Sequence, residues 1–264
     1  MSSINKILIV RLSAIGDVVH SLPVLYALRK RYPNAFIGWV VEDKAADLVL
    51  GNPLIDKVYV LPKNKWKKQG LNLGTVKEFC SFLCEVRKEK FDVAIDLQEL
   101  FKSAIITFLS GAKRRIAHAK TREFAHLFVN EKLHPYPLLD PDRMVISRNM
   151  DAAVYLGASA DEIKFPLPPV NSSIKNKINS LTKDLNPNKP IIVFCPATIW
   201  PSKHWIDEYW SILLDNLALK ANIIFTGAVT DVGLIDKIVS GANNNQHLSL
   251  VGKLGLMELV ELFN

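Results

Sequence analysis

Residues 6–23, KILIVRLSAIGDVVHSLP, constrain the fold more than any other stretch. Residues 6–10 are an apolar, β-branched run of the kind that lies buried in a parallel sheet. Residues 11–16 are short and polar, with Gly16 where the chain must turn. From Asp17 the apolar residues fall at Val18, Val19, Leu22, Leu25 and Leu28, a helical stripe. Pro23 interrupts that stripe, which predicts one turn near Asp17 and then a helix over 21–31. Strand, loop and helix in this order form the repeating unit of an open α/β sheet, whose ligands sit outside the carboxyl ends of the strands. Asp17 stands on that edge.

The pattern recurs along the chain. Strands are expected at 36–41, 57–61, 93–97 and 114–117, with helices at 43–50, 75–90, 100–109 and 143–156 and a helical turn at 122–129. Residues 62–74 read as a polar, basic loop. Thr75 and Glu78 have capping-box spacing at the start of the next helix. Strands separated by helices imply a mostly parallel sheet covered on both faces. Composition shifts at 158–190, where Pro166, Pro168, Pro169, Pro187 and Pro190 lie among Asn, Ser and Lys; this is a linker candidate that holds a helix over 172–185. A second α/β unit follows, with strands at 191–195, 222–225 and 248–250 and helices at 206–219, 231–239 and 256–263. The expected organisation is therefore a first domain at 1–157, a linker at 158–190 and a second domain at 191–264.

With 49% hydrophobic and 22% charged residues, the 264-residue chain reads as an ordinary globular protein. No apolar run approaches the roughly 20 residues that a membrane-spanning helix needs, and the N-terminus lacks the pattern of a signal peptide. The expected compartment is the cytoplasm. Cys80, Cys84 and Cys195 are odd in number, which argues against a disulfide framework, and Cys80 and Cys84, four apart on an expected helix without a ligand-spaced partner, read as buried thiols. The net charge of +7 suggests an anionic partner. Nucleic-acid motifs are absent, as are the glycine-rich dinucleotide and P-loop fingerprints.

Four clusters carry candidate chemistry. Asp17, with Ser13, Gly16 and His20 beside it, is either a helix cap or a general base facing a ligand; His20 itself reads as structural. Asp96, Gln98 and Lys102 follow an apolar strand and converge on the same kind of edge. Lys63, Lys65, Lys67 and Lys68 surround Trp66, whose ring could lie against an acyl or sugar face, and Arg122 could extend this basic patch. Thr198, Ser202 and Lys203 precede a helix, whose N-terminal N–H groups favour a phosphate; Trp205 reads as packing. Asp140-Pro141-Asp142 has the spacing of metal-dependent sugar transferases but reads as a turn and cap, and no metal site is expected.

In order, RLSAIGDVVHSLP, WVVEDKAADL, DLQELFKS and PATIWPSKHW resemble the bacterial heptosyltransferases of glycosyltransferase family 9, with the lipopolysaccharide heptosyltransferase I branch the most similar. The resemblance implies a GT-B fold: two Rossmann-like domains facing a cleft, acceptor on the first and nucleotide sugar on the second. It implies inverting transfer of L-glycero-D-manno-heptose from ADP-heptose to the Kdo of lipid A, with no cofactor and no metal. By the same resemblance Asp17 is the base. Ser13, Gly16, Lys63, Lys65, Lys67, Lys68, Gln98, Lys102 and Arg122 are acceptor-side positions, and Thr198, Lys203, Asp231, Gly252 and Leu254 are donor-side positions. The expected partners are the nucleotide sugar and an anionic glycolipid, with the protein a monomer at the cytoplasmic face of the inner membrane and no nucleic acid involved. Alternatives within reach are heptosyltransferase II, another core transferase of the family, or a truncated, non-catalytic glycolipid-binding relative. Two departures stand out. Glu99 replaces the glycine of the family's Gln-Gly-Leu, and the family's Asp-Thr-Gly-x-x-His segment does not occur in these 264 residues, so a second domain truncated at its C-terminus is expected.

Overall fold

A computed structural model describes residues 4–70, 72–119, 121–134, 144–198, 200–244 and 246–264. The chain divides into two compact units, Met1–Pro169 and Val170–Asn264.

Among the described residues the first unit is built on a six-stranded parallel sheet: β1 (Lys6–Val10), β2 (Phe36–Glu42), β3 (Lys57–Leu61), β4 (Val93–Asp96), β5 (Arg114–His118) and β6 (Glu131–Leu133). Their order in the sheet is β3-β2-β1-β4-β5-β6, and every pairing is parallel. The order reverses between β1 and β4, and an open α/β sheet forms its ligand crevice at such a switch point. Ile7, Leu8, Ile9 and Val10 are fully buried, each large aliphatic side chain contributing about 1.5–3 kcal/mol by burial. That is why a continuous β-branched run without polar alternation marks the central strand.

Helices α1 (Ile15–Val19) and α2 (Leu22–Arg31) follow β1, split as Pro23 requires. The segment expected to be a basic loop is instead a helix, α3 (Lys63–Gln69). Lys and Gln are good helix formers, and a single large apolar residue, Trp66, docks the helix by packing edge-on against Phe79, ring centroids 5.8 Å apart. Helix α4 (Leu73–Lys88) begins earlier than the Thr75–Glu78 spacing predicts. Asn72 is its cap, accepting the Thr75 N–H at 3.0 Å, and Glu78 is drawn away to Lys65 and Trp66. Helices α5 (Phe101–Leu109) and α6 (Val145–Tyr155) complete the unit. Asp140 and Asp142 lie outside the described residues.

The second unit has a parallel sheet of β7 (Ile191–Phe194), β8 (Asn222–Phe225) and β9 (Leu248–Ser249), in that order. Its helices are α7 (Ser172–Thr182), α8 (Asp207–Leu217), α9 (Val232–Ser240) and α10 (Leu256–Phe263). The division at 169/170 falls inside the proline-rich 158–190, and α7 packs with α10 as part of this unit. All three cysteines are exposed, contrary to the expectation that Cys80 and Cys84 are buried: the apolar stripe of α4 that faces the core is Phe79, Phe82, Leu83 and Val86, and Cys80 and Cys84 fall on the other side.

Candidate functional site

The loops after β1 and β4 lie side by side at the switch point. Together with α6 they enclose a pocket of about 330 Å³, lined by Arg11, Asp17, Gln98, Glu99, Arg148 and Asn149 among others. Asp17 sits in the first turn of α1. Its Oδ2 takes an ion pair from Arg11 Nη2 at 3.0 Å and a hydrogen bond from the Ala14 N–H at 3.2 Å. Its Oδ1 has no partner among the described residues, and the side chain is 42% exposed. One carboxylate oxygen is thus anchored and the other is available to accept a proton.

Arg11 is buried and also donates to the Leu97 carbonyl. Burial pushes its guanidinium below its ordinary value, opposed by the charges of Asp17, Asp96 and Glu99. Gln98 does not reach outward for a ligand through its carbonyl. Its Oε1 accepts the N–H groups of Leu12 and Ser13 at 3.2 and 3.0 Å and so holds the loop that carries Asp17. Gly16 is not a packing requirement, since a Cβ there would meet nothing within 4 Å. His20 closes α1, and its backbone carbonyl accepts from Asn149 at 3.1 Å.

Glu42, at the end of β2, gathers the lysines. Its side chain is 4% exposed and binds Lys102 Nζ at 2.7 Å and Lys63 Nζ at 3.0 Å; Lys102 also donates to Ser13 Oγ at 3.2 Å. Burial alone would raise the Glu42 carboxyl, but the hydrogen bonds from Lys102 and Lys63 outweigh it and hold the group below the usual carboxylate range. Lys65 pairs with Glu78 at 2.6 Å. Lys67 and Lys68 are exposed, without a carboxylate in ion-pair reach among the described residues. Trp66 does not offer its ring as a platform: it is partly buried against the core, and its indole N–H donates to Glu78 at 2.8 Å. Arg122 opens the 3-10 turn Arg122–Leu127.

Asp96 was expected on the ligand edge and is instead buried beneath it. Its Oδ1 accepts the N–H groups of Gln98 and Glu99, and its Oδ2 lies 3.0 Å from Ser103 Oγ. Burial pushes its carboxyl up to about 7, against the lowering effect of those hydrogen bonds. Glu99, at φ +58°, turns inward, where His118 Nδ1 and Arg148 hold its carboxylate. His118 Nε2 continues to Asp151 at 3.2 Å. The extra carboxylate is thereby engaged, and it fixes Arg148 in the pocket wall.

Donor-side candidates lie at the carboxyl edge of the second sheet. Thr198 Oγ1 accepts from the Trp200 N–H at 3.4 Å, and Lys203 ends the 3-10 turn Pro201–Lys203, exposed and without an ion pair among the described residues. Helix α8 starts at Asp207 with Asp207 and Glu208 in its first turn. Asp207 is paired with Lys237 at 2.8 Å. Asp231 Oδ2 accepts the Ala228 N–H at 2.7 Å, and the Gly252 N–H donates to the Gly227 carbonyl at 2.8 Å. This second bond joins the loops after β8 and β9. Gly252, at φ +71°, is required: a Cβ would lie 2.7 Å from Val229 Cγ2. Leu254 follows in the same loop, half-buried.

Sequence reasoning missed Arg11, Glu42, His118, Arg148 and Asn149. Arg11 and Glu42 each stand at or just beyond the end of an apolar strand and carried a local signal. The other three come from β5 and α6, and only the fold brings them to the pocket.

A model of glycosyltransferase family 9 (heptosyltransferase) matches residues 80–264. Lipopolysaccharide heptosyltransferase 1 of Pseudomonas aeruginosa is 30% identical over 217 residues, covering 80% of this chain and 58% of that protein. The Campylobacter coli protein of the same name is 33% identical over 183 residues, covering 68% and 48%. The chain thus spans about half the length of these relatives. Among solved structures, a family 9 glycosyl transferase from Veillonella parvula superposes with a TM-score of 0.81 at 19% identity, covering 97% of this chain and 72% of the other. E. coli heptosyltransferase WaaC with ADP-2-deoxy-2-fluoro heptose gives 0.73 at 24%, covering 97% and 79%. The α/β fold with parallel sheets is that of these GT-B enzymes.

Proposed function

The chain belongs to glycosyltransferase family 9, the heptosyltransferases, and from that premise we propose that it acts in lipopolysaccharide core synthesis, moving L-glycero-D-manno-heptose from ADP-heptose to the Kdo of lipid A. The observation that carries this reading is the half-anchored Asp17: Oδ2 is fixed by Arg11 and the Ala14 N–H, and Oδ1, at a pocket on the switch point, has no partner among the described residues. A carboxylate so placed can take the proton of an acceptor hydroxyl as general base. The acceptor oxygen then forms its bond to the anomeric carbon while the bond from that carbon to the diphosphate oxygen breaks. ADP leaves with the electron pair, and attack opposite the leaving group inverts the centre.

The cations around the pocket fit an acidic acceptor. Lys63 and Lys102, held by buried Glu42, and Arg148, held by Glu99, present fixed positive charge. Lys203 and the backbone N–H groups of the loops after β7 and β8 suit the charge that develops on ADP, so the reading needs no metal ion. It puts the chain at the cytoplasmic face of the inner membrane, where such an acceptor is made.

The test is mass analysis of acceptor after incubation with ADP-heptose. The expected result is one added heptose on Kdo-lipid A, with ADP released in equal amount. Addition only to an acceptor that already carries one heptose would move the assignment to a later core transferase. No addition to either acceptor, with ADP binding absent, would leave a non-catalytic glycolipid binder.

A further inference from the structure

The exposure of Cys80 and Cys84 shows that α4 has two faces. Phe79, Phe82, Leu83 and Val86 face the core. On the opposite side, Leu73, Val76, Lys77, Cys80, Ser81, Cys84, Arg87 and Lys88 all fall within an arc of about 140° at 3.6 residues per turn. All eight are exposed, Leu73 to 90% and Val76 to 46%. Leu73, Val76, Cys80 and Cys84 form an apolar stripe along this face, since a thiol behaves as a small, polarisable hydrophobe.

Charge on this face has one sign. Lys77, Arg87 and Lys88 have no carboxylate in ion-pair reach among the described residues, while the helix's acids lie off the arc and are engaged elsewhere: Glu78 with Lys65 at 2.6 Å and Glu85 with Lys57 at 3.1 Å. Lys67 and Lys68 of α3 add charge at the N-terminal end. At the C-terminal end the face opens into a groove of about 540 Å³, where Cys84, Arg87, Lys88, Lys90 and Lys113, the last also 3.7 Å from Asp92, surround an apolar floor that includes Phe91. An apolar stripe with a mainly cationic surround is the composition of a helix that lies in a membrane interface, with its side chains in the acyl boundary and its cations at anionic headgroups.

We propose that the outer face of α4 docks the protein onto an anionic lipid surface, the stripe from Leu73 to Cys84 entering the interface and the groove at Arg87 and Lys88 receiving a lipid phosphate. This deepens the reading of a lipid-linked acceptor, and its test uses vesicles without saccharide, so it stands or falls apart from heptosyl transfer.

The experiment is co-sedimentation of the full chain with vesicles of phosphatidylglycerol and phosphatidylcholine in equal parts, and with phosphatidylcholine alone. Binding is expected only to the anionic vesicles and is expected to fall as salt is raised. L73N/V76N and K77Q/R87Q/K88Q should each weaken it at least tenfold. Both variants change exposed positions, and unchanged circular dichroism checks their folding. A polarity-sensitive fluorophore on Cys84, in a C80S/C195S chain, should shift to the blue on anionic vesicles. The proposal is overturned if the variants bind like the parent, if neutral vesicles bind equally well, if the fluorophore does not respond, or if L73N/V76N instead dissociates a dimer in sedimentation velocity, which would make the face a contact between copies of this chain.

Discussion

In the first unit, the loops at the carboxyl edge of the sheet are held by side chains. Gln98 clamps the loop before Asp17, Glu42 gathers Lys63 and Lys102, Asp96 caps the turn after β4, and Glu99 links His118 to Arg148. In the second unit, the loops in the same position are held without an ion pair among the described residues: the Gly252 N–H on the Gly227 carbonyl, the Asp231 carboxylate capping its own turn, and His204 on the Thr198 carbonyl. The contrast fits two ligand chemistries. A site of fixed, paired charges suits the acidic acceptor proposed above, because charges already held in place need little reorganisation on binding. A site of glycines and exposed backbone lets a nucleotide diphosphate come close to N–H groups.

The difference can be broken at single positions. The largest stability effect is expected at Asp96, whose carboxyl burial raises to about 7. The folded state then holds this proton more tightly than the unfolded state, where the group titrates near 4. The associated stability is complete below about pH 4, declines as pH rises towards 7, and is flat above. The span is on the order of 4 kcal/mol. Asp96→Asn, which keeps the acceptor for the two N–H groups, should flatten this slope in urea unfolding across that window. An unchanged slope would remove Asp96 from the account.

Next comes Glu42→Ala. It removes the acceptor of two charged hydrogen bonds, leaves the partly exposed Lys63 and Lys102 unanchored, and should cost about 2 kcal/mol, with acceptor KM raised and donor KM unchanged. If both KM values rise together, Glu42 is scaffold only. In the second unit, Gly252→Ala forces a side chain into φ +71° and against Val229, and should cost about 2 kcal/mol by the same unfolding assay. ADP affinity should fall while acceptor affinity holds. Equal losses of both ligands would erase the distinction between the two units.

Much of this was legible in the sequence where the signal is local. The central strands announce themselves as unbroken β-branched runs, and Asp17, Ser13, Gln98 and Lys102 sit on or just past the short loops that follow them. The sequence of helix α3 looks like a loop because Trp66 is the one large apolar residue in KNKWKKQ, so no stripe shows, and its docking depends on Phe79 in the next helix. Three-residue β6 is too short for a period. Asp96 was placed at the ligand edge because burial under a turn cannot be told from exposure beyond a strand without the turn itself. Arg148 and Asn149 reach the pocket from α6, about 130 residues after Asp17, and nothing local marks them.

Proton transfer to Asp17 Oδ1 is read by single-turnover heptose transfer in the parent and in Asp17→Asn, with acceptor affinity measured on both. Acceptor affinity is expected within about threefold of the parent, and the transfer rate lower by roughly 10²-fold or more, on the scale of general base catalysis. Near-parental transfer by Asp17→Asn would contradict it.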